Sequence, residues 1–510
     1  MLVVLLVAAI LRTVRLDTFP PGLYADVAVN GLDALGVPAQ GLHVIYPRGA
    51  GNGIEGMIVW LDALSVALLG QRPIALYLTT VVIGLVMLPV HYLLAATLFG
   101  RRVGLISTAL LGVSFWAVHY SRLGYRTLLV PLFLDLVFLL LWWAARRQSV
   151  WLWALAGVVL GLGAYTYTSY RLVVLVIAGL VVARILARRD IPGNRSSWVV
   201  VVVAAAAVAA PLAIATMLNP DVLNRDIGVS VLKGGPLAGL PGRVADHALR
   251  TLAAFNLWGD PERQYNVPHL PLFDPLVGLA FVAGIVVSIK RWRASRYSLL
   301  LLWLGVFTLV VMLSDRTPHM LRASGLIPAA YLLAGVGLDA VLVRLWPRRV
   351  ALAAGAVCVV SLAWTAVFYF AVYPTVPGLY GEFMGDRVDV GRFIDATDWN
   401  GRHVYLAVTF NNHGTITPDP FRALPTRFMT TGRVDWTFLD YRRVADLPED
   451  GPIAVLLDAK DRTTLDSLAK RFPDGRVAFV LQLPQRSIAV FLRGDAGSFK
   501  PGSIGPYSNW

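Results

Sequence analysis

The chain has 510 residues, of which 57% are hydrophobic and only 15% are charged, and its mean hydropathy is +0.64. Soluble globular proteins are about 45–50% apolar and about 25% charged, so a disordered, collagen-like or disulfide-scaffold protein is excluded. The apolar residues come in long blocks, which indicates a protein that crosses a membrane many times. The single cysteine, Cys358, lies in one of these blocks and can form no internal disulfide.

The formal net charge of +14 does not require a nucleic-acid partner. Most basic residues flank the apolar blocks, as the orientation of membrane helices demands, and this placement explains the surplus. A phosphate-bearing substrate or a membrane surface remains compatible with it. The apolar start runs directly from Met1 with no small-residue cleavage site after it, so we expect no separate signal peptide.

About eleven apolar blocks have the length of a membrane span, which needs about 20 mostly apolar residues. The predicted spans are 1–16, 73–98, 103–119, 127–144, 150–167, 172–187, 197–217, 272–289, 298–314, 326–343 and 350–371. The first block is short.

Residues 54–70 are the ambiguous segment. They carry Glu55 and Asp62, which are seven residues apart and so share one helical face. Carboxylates inside a bilayer are costly, so we predict an amphipathic helix at the membrane interface. Five basic clusters between the spans then fall on one side of the membrane, which we take as cytoplasmic. These clusters are Arg101-Arg102, Arg146-Arg147, Arg188-Arg189, Lys290 to Arg293 with Arg296, and Arg344 with Arg348-Arg349.

The tail after Tyr373-Pro374 changes character, which divides the chain into a membrane domain, 1–373, and a second domain, 374–510. Short apolar runs typical of β-strands alternate there with amphipathic helical stretches. The strand runs are His403 to Val408, Ile453 to Leu457, Val477 to Leu483 and Ser487 to Leu492, and the helical stretches are 387–396 and 463–471. We predict a small α/β domain on the outer side.

The outer loops are long and chemically varied, whereas the inner loops hold little except Arg and Lys, so we expect the functional site on the outer face. In the first outer loop Pro20-Pro21-Gly22 predicts a turn, and a helix begins around Asp26. Asp26 is either the N-cap of that helix or a carboxylate that accepts a proton from an incoming hydroxyl.

Several arginines lie at the outer ends of spans. They are Arg122, Arg126, Arg171, Arg316 and Arg322, with His319 beside the last two. One interpretation is snorkelling to lipid headgroups, although the positive-inside bias favours the opposite side. The other is phosphate binding, because the guanidinium fork matches a phosphate.

The long outer loop, 218–271, includes a helical stretch, 241–256, that could lie on the membrane as a lid. Its Gly234-Gly235 pair is not a phosphate loop, since no Walker or dinucleotide pattern surrounds it. No set of His, Asp and Glu residues has the spacing of a preformed metal site.

Four segments together resemble a known group of enzymes: PPGLYADVAVNGLDAL, HYSRLGYRTLLVPLF, AYTYTSYR and PHMLRASGLIPA. With an outer C-terminal domain, they resemble the bacterial family 39-type glycosyltransferases of the GT-C superfamily, which includes the protein O-mannosyltransferases and the lipid A aminoarabinose transferase. The resemblance covers roughly residues 1–370.

The resemblance implies a sugar donor on polyprenyl phosphate and an acceptor that approaches from the outer side. It makes Asp26 the catalytic base and matches the family's interfacial helices to 27–36 and 54–70. By position, the lipid-phosphate ligands would be Arg122, Arg171, His319 and Arg322, and the accessory residues Tyr24, Glu55, Arg126 and His269.

Two departures from the family pattern argue against a divalent metal. Many relatives have Asp-Glu in the first loop, where Val27 follows Asp26 here, and many have a second acidic residue where this chain reads Leu128-Leu129-Val130-Pro131. A hard cation prefers several oxygen ligands. We expect no cofactor.

The sequence therefore predicts a polytopic α-helical protein of GT-C type in the plasma membrane, with its active site and C-terminal α/β domain on the extracytoplasmic side. The expected reaction moves a sugar from polyprenyl phosphate to a hydroxyl of a glycan, lipid or protein, with inversion. The alternatives are a transporter or flippase for a lipid-linked sugar, for which Asp135 is the main buried carboxylate, and a non-catalytic binding relative.

Overall fold

The computed structural model describes residues 1–48, 53–188, 193–219, 239–407, 420–494 and 499–503. The Gly234-Gly235 pair, Arg189 of one basic cluster and Val408 of one predicted strand lie outside the described residues.

The described residues form mostly α-helices, with a short β-pair near the N-terminus and a sheet near the C-terminus. The α-helices are α1 Leu2–Thr13, α2 Ala25–Gln40, α3 Met57–Leu69, α4 Pro73–Phe99, α5 Arg101–Val113, α6 Phe115–Ser121, α7 Leu129–Arg147, α8 Val150–Gly163, α9 Val173–Leu186, α10 Arg195–Leu218, α11 Leu240–Asn256, α12 Pro275–Lys290, α13 Ser295–Met312, α14 Ile327–Leu345, α15 Val350–Val367, α16 Leu379–Glu382, α17 Gly385–Ala396, α18 Leu424–Thr430 and α19 Arg462–Arg471. The strands are β1 Ile45–Pro47, β2 Gly53–Glu55, β3 His403–Leu406, β4 Trp436–Phe438, β5 Ile453–Asp458, β6 Arg476–Gln482 and β7 Ser487–Arg493.

Within the described ranges, seven helices are long and apolar enough to cross a membrane, or eight if α5 and α6, which meet at 59°, form one bent span. The prediction of about eleven spans counted apolar blocks rather than helices. Three of those blocks hold the shorter helices α1, α8 and α12. At 1.5 Å per residue these helices extend about 18–24 Å, less than the roughly 30 Å of a hydrocarbon core. The ends of the blocks form turns instead of further helix.

Helix α3 has 13 residues, which at about 20 Å is too short to span a bilayer. The prediction that Glu55 shares its face with Asp62 is wrong, because Glu55 precedes the helix and lies in β2. Strand β2 pairs antiparallel with β1, with Glu55 opposite Ile45. The local spacing favoured a helix that begins at residue 54, but pairing of β2 with β1 delays its start to Met57.

The chain divides into two compact units. The first comprises Met1–Val14, Ala39–Leu61 and Tyr77–Val376, and the second comprises Arg15–Pro38, Asp62–Leu76 and Pro377–Trp510. The division after Val376 lies close to the predicted domain boundary at 373. The second unit, however, also contains the first loop and the start of α2, including Asp26.

In the first unit, α12 and α14 cross at small residues. A Cβ atom added to Gly337 of α14 would meet the carbonyl oxygen of Ala280, and one added to Gly284 of α12 would meet that of Leu333. Association of helices within membranes depends on such close packing of small residues. The crossing buries α14 along most of its length.

A buried polar contact joins three helices of this unit. The Nδ1 atom of His91 lies 3.0 Å from Oδ2 of Asp135, and its Nε2 atom lies 2.6 Å from Oγ of Ser107. All three side chains are fully buried. The carboxylate named for the transporter alternative is thus paired inside the helix bundle.

The C-terminal part of the second unit contains a five-stranded mixed sheet in the order β4-β3-β5-β7-β6. Strands β4, β3 and β5 are parallel, while β7 runs antiparallel to both β5 and β6. This confirms the predicted small sheet domain, including each predicted strand, and adds β4, whose three residues were too few to recognise.

Both faces of the sheet are covered, which explains the continuous apolar sequence of β5. Ala454 and Leu456 pack with α17 on one face, and Val455 and Leu457 pack with Leu468 of α19 on the other.

We expect Gly337→Ala to lower the thermal unfolding midpoint, because the added methyl group would meet the backbone of α12 and overpacking costs about 1–3 kcal/mol. The matched control is Gly355→Ala in α15, where a Cβ atom meets nothing within 4 Å and alanine favours the helix. Equal midpoints for the two purified variants in the same detergent would contradict the proposed crossing.

Candidate active site

Asp26 lies in the first turn of α2, one residue after the helix begins at Ala25. It is therefore not the N-cap that one interpretation suggested. Its side chain is exposed, and among the described residues nothing forms a hydrogen bond or ion pair with its carboxylate. An exposed carboxylate without an internal partner can receive a proton from a bound substrate.

The turn before Asp26 is held by close backbone packing within the second unit. Gly22 has φ +155° and a Cβ atom there would meet Phe383 and Gly385, while Gly31 of α2 abuts the ring of Phe428. Only glycine leaves enough room for these approaches. The segment that carries Asp26 is thus positioned by residues from the C-terminal part of the chain.

The first unit brings together three short 3-10 helices, Arg126–Leu128, Thr168–Leu172 and Arg322–Leu326. The last of them packs against both of the others. Each directly precedes a long apolar helix, α7, α9 or α14, so three helix starts converge. The N-terminal end of a helix carries unpaired N–H groups and a partial positive charge, which favours anions.

Each of these 3-10 helices supplies one arginine, and two of the arginines face a shared carboxylate. Glu55 is buried, with its Oε2 atom 3.9 Å from a guanidinium nitrogen of Arg126 and its Oε1 atom 3.4 Å from one of Arg171. Thr168 Oγ1 donates a hydrogen bond of 3.0 Å to the same Oε1 atom. These three side chains carry one negative and two positive charges, so their summed charge is positive.

Arg126 is nearly buried and its guanidinium lies 5.0 Å from the centre of the Tyr167 ring, whereas the side chain of Arg171 is 39% exposed. Burial strengthens the charge interactions of the first. Exposure leaves the second accessible to a ligand. The pair therefore combines a fixed guanidinium with a reachable one.

The loop before Arg322 contributes a second set of charges. Arg322 forms an ion pair of 2.6 Å with Asp315, and Arg316 forms one of 2.5 Å with Glu262. His319 is buried with its ring stacked on Tyr265. Burial, followed by the charges of Arg322 and Arg316, lowers the pKa of His319 well below its usual value. The imidazole is thus neutral at physiological pH.

Residues 257–274, the end of the long loop, form hydrogen bonds both with the loop before Arg322 and with the residue before Arg126. Asp260 accepts hydrogen bonds from the N–H groups of Met320, at 2.9 Å, and Glu262, at 3.0 Å. The side chain of Gln264 donates to the hydroxyl of Tyr125, which precedes Arg126. Burial raises the pKa of Asp260 to about 6 despite those two donors.

Arg122, which the sequence placed among the phosphate ligands, is fully buried. Its guanidinium donates to the carbonyl oxygens of Leu11 and Val14 and to the hydroxyl of Tyr369, at 3.0, 2.8 and 3.1 Å. These contacts give it a packing role between helices. Arg126, four residues later, is the arginine that faces Glu55.

The other residues that the sequence predicted for the site do not all lie in one group. His319 and Arg322 lie on one loop beside the cluster, whereas His269 is exposed with its ring against Trp258. Tyr24 is half-buried and belongs to the second unit with Asp26. The sequence missed Asp260 and Gln264, whose only signal was their place in a polar outer loop. No cluster of three His, Cys, Asp or Glu side chains that could hold a metal occurs in the described ranges.

Comparison with known proteins supports a shared fold. Residues 56–214 match the sequence family described as dolichyl-phosphate-mannose-protein mannosyltransferase. The matched segment contains Arg122, Arg126 and Arg171 but not Asp26. No curated protein sequence matches the chain.

Solved structures of ArnT from Cupriavidus metallidurans, bound to undecaprenyl phosphate and in the apo state, each match with a TM-score of 0.56 and 16% identity, covering 96% of this chain and 97% of that chain. The archaeal oligosaccharyltransferase AglB from Archaeoglobus fulgidus, in complex with an inhibitory peptide and a dolichol-phosphate, matches with a TM-score of 0.50 and 13% identity, covering 90% of this chain and 69% of that chain.

We expect Asp260→Asn to flatten part of the pH dependence of stability. Because the pKa of Asp260 is about 6 in the folded protein and near 3.9 when unfolded, protonation favours folding. The stabilisation is fully present below about pH 4, and up to about 3 kcal/mol is lost as the pH rises through 6. Asparagine cannot titrate. Thermal midpoints measured from pH 4 to 7.5 should fall less steeply for the variant, and parallel curves would contradict the assignment.

Proposed function

We propose that this chain is a membrane glycosyltransferase of the GT-C superfamily, and that it moves a sugar from a polyprenyl-phosphate donor to a hydroxyl acceptor on the outer face of the membrane. The observation that carries this proposal is the packing together of three helix starts, each bearing an arginine, two of which face Glu55. That arrangement has the chemistry of a phosphate site.

The donor phosphate is assigned to the arginine cluster. The positive excess left by Arg126, Arg171 and Glu55 would bind the phosphate and stabilise the charge that develops as the carrier leaves. Arg322 and the neutral His319 would add donors from the neighbouring loop. Solved structures of ArnT and AglB contain undecaprenyl phosphate and a dolichol-phosphate, which supports a lipid of this class as carrier.

The catalytic base is assigned to Asp26. Its carboxylate would take the proton of the acceptor hydroxyl while the hydroxyl oxygen forms a bond to the anomeric carbon of the sugar. The bond between that carbon and the phosphate oxygen breaks, and the polyprenyl phosphate leaves with the bonding electrons. A single displacement of this kind inverts the anomeric centre. The mechanism includes no divalent metal, because Val27 and Leu128 to Pro131 stand where many relatives carry acids.

We expect Asp26→Asn to abolish transfer of a labelled sugar from polyprenyl phosphate, since an amide cannot accept the proton. The fold and donor binding should persist, because the carboxylate contacts nothing inside the described protein. Asp17→Asn, an exposed carboxylate of the same loop, is the matched control and should retain activity. Full activity of the Asp26 variant would refute its role as base.

The same labelled donor separates the alternatives when it is supplied to purified protein in vesicles. Transfer or hydrolysis supports a glycosyltransferase. Movement of the intact donor between leaflets supports a flippase, and binding with neither supports a non-catalytic relative.

We expect Arg126→Gln and Arg171→Gln each to weaken binding of undecaprenyl phosphate about tenfold or more, since each removes a charge-assisted contact. Arg122→Gln should instead lower the thermal midpoint and leave the dissociation constant of the folded protein nearly unchanged, because its guanidinium faces internal oxygens. The double variant Glu55→Gln with Arg126→Gln removes both partners and controls for a carboxylate left unpaired. Loss of affinity only in the Arg122 variant would reverse the assignment.

A further inference from the structure

A groove of about 250 Å³ lies among helices of the first unit. Its walls come from α7, α8, α9 and α10, with Ser295 of α13 at one end. The helices on its outer side are mostly unburied, with 22% of the span containing α9 and 11% of α10 packed inside the protein. In a bilayer such a groove faces the lipid.

The groove is apolar along most of its length and basic at one end. Phe138 and the indole rings of Trp142 and Trp198 line the apolar part, and Arg146 and Arg184 line the basic end. Among the residues that the structure describes, no acidic side chain lines it. A cationic end above an apolar channel is complementary to an anionic head group above an acyl chain.

A buried donor in the wall also points to a ligand. Trp153 is 2% exposed and lines the groove, and its indole N–H has no acceptor among the described residues. Buried N–H groups nearly always have a partner. An ester or phosphate oxygen of a bound lipid would provide one.

The depth of the groove corresponds to one leaflet. From Phe138 to Arg146 it follows eight residues of α7, which is about 12 Å at 1.5 Å per residue. Half of a hydrocarbon core is about 15 Å thick. The arginines stand near the C-terminal ends of α7 and α9, whereas Arg126 and Arg171 precede the N-terminal ends of the same helices. The groove therefore opens at the opposite membrane face from the proposed donor site.

We propose that this groove binds an anionic glycerophospholipid, with its phosphate against Arg146 and Arg184 and an acyl chain along the indole rings. The occupant is a bilayer lipid rather than the sugar carrier because the groove is confined to one leaflet, at the membrane face away from the donor cluster. This inference does not depend on the proposed function.

The test measures lipid binding to wild-type protein, which needs no variant to fold. Delipidated protein in detergent is titrated with phosphatidylglycerol, phosphatidylethanolamine or undecaprenyl phosphate, the two phospholipids having identical acyl chains. Native mass spectrometry counts bound lipids, and the thermal midpoint is followed in parallel. We expect phosphatidylglycerol to be retained preferentially and to raise the midpoint.

The double variant Arg146→Gln with Arg184→Gln should bind phosphatidylglycerol about tenfold more weakly or worse, because two charge-assisted contacts are removed. Arg147→Gln is the matched control. Arg147 is exposed, lies on the same turn of α7 with its guanidinium 5.7 Å from the Trp143 ring centre, and does not line the groove. It should bind like wild type.

Three outcomes would overturn the proposal. Equal retention of the two phospholipids would remove the requirement for an anionic head group. Preferential binding of undecaprenyl phosphate that the double variant abolishes would make the groove a carrier site. Equal loss in the Arg147 variant and the double variant would show a general effect of surface charge.

Discussion

The buried carboxylate of Glu55 is the constraint on which the arginine cluster depends. Two guanidinium groups at converging helix starts repel each other and the positive helix ends, and an anion between them offsets that repulsion. Glu55 can occupy that position because β1 and β2 pair and present it between Arg126 and Arg171. One carboxylate compensates only part of the positive charge. The positive charge that remains would attract a phosphate group.

The candidate base depends on a different part of the chain. Helix α2 and the turn before it belong to the second unit, where Gly22 and Gly31 pack closely on Phe383, Gly385 and Phe428. The C-terminal part of the protein is therefore more than an appended sheet. It supplies the surface against which the Asp26 segment packs. The role assigned to Asp26 therefore depends on the folding of the C-terminal part.

Local patterns predicted the parts of the structure that depend on neighbouring residues. The apolar blocks predicted the long helices, and the short apolar runs predicted β3, β5, β6 and β7. Both predictions work because a buried strand or a membrane span requires apolar side chains at neighbouring positions of the chain. The local patterns were wrong at two places. Helix α8 ends before its apolar block does, and Glu55 lies in strand β2 instead of in helix α3. Glu55 is opposite Ile45 of β1, a pairing that helical periodicity cannot indicate.

The sequence by itself determined the membrane class, the small C-terminal sheet and the polar loops in which the candidate residues occur, because hydropathy and turn residues act over short stretches of chain. Only the tertiary structure decided that Arg126 rather than Arg122 faces Glu55, although the two arginines are only four residues apart. Which side chain meets a carboxylate or a carbonyl is set by the surfaces that packing brings together. That information resides in contacts between residues far apart along the chain, such as Arg126 with Glu55 and Arg122 with Tyr369.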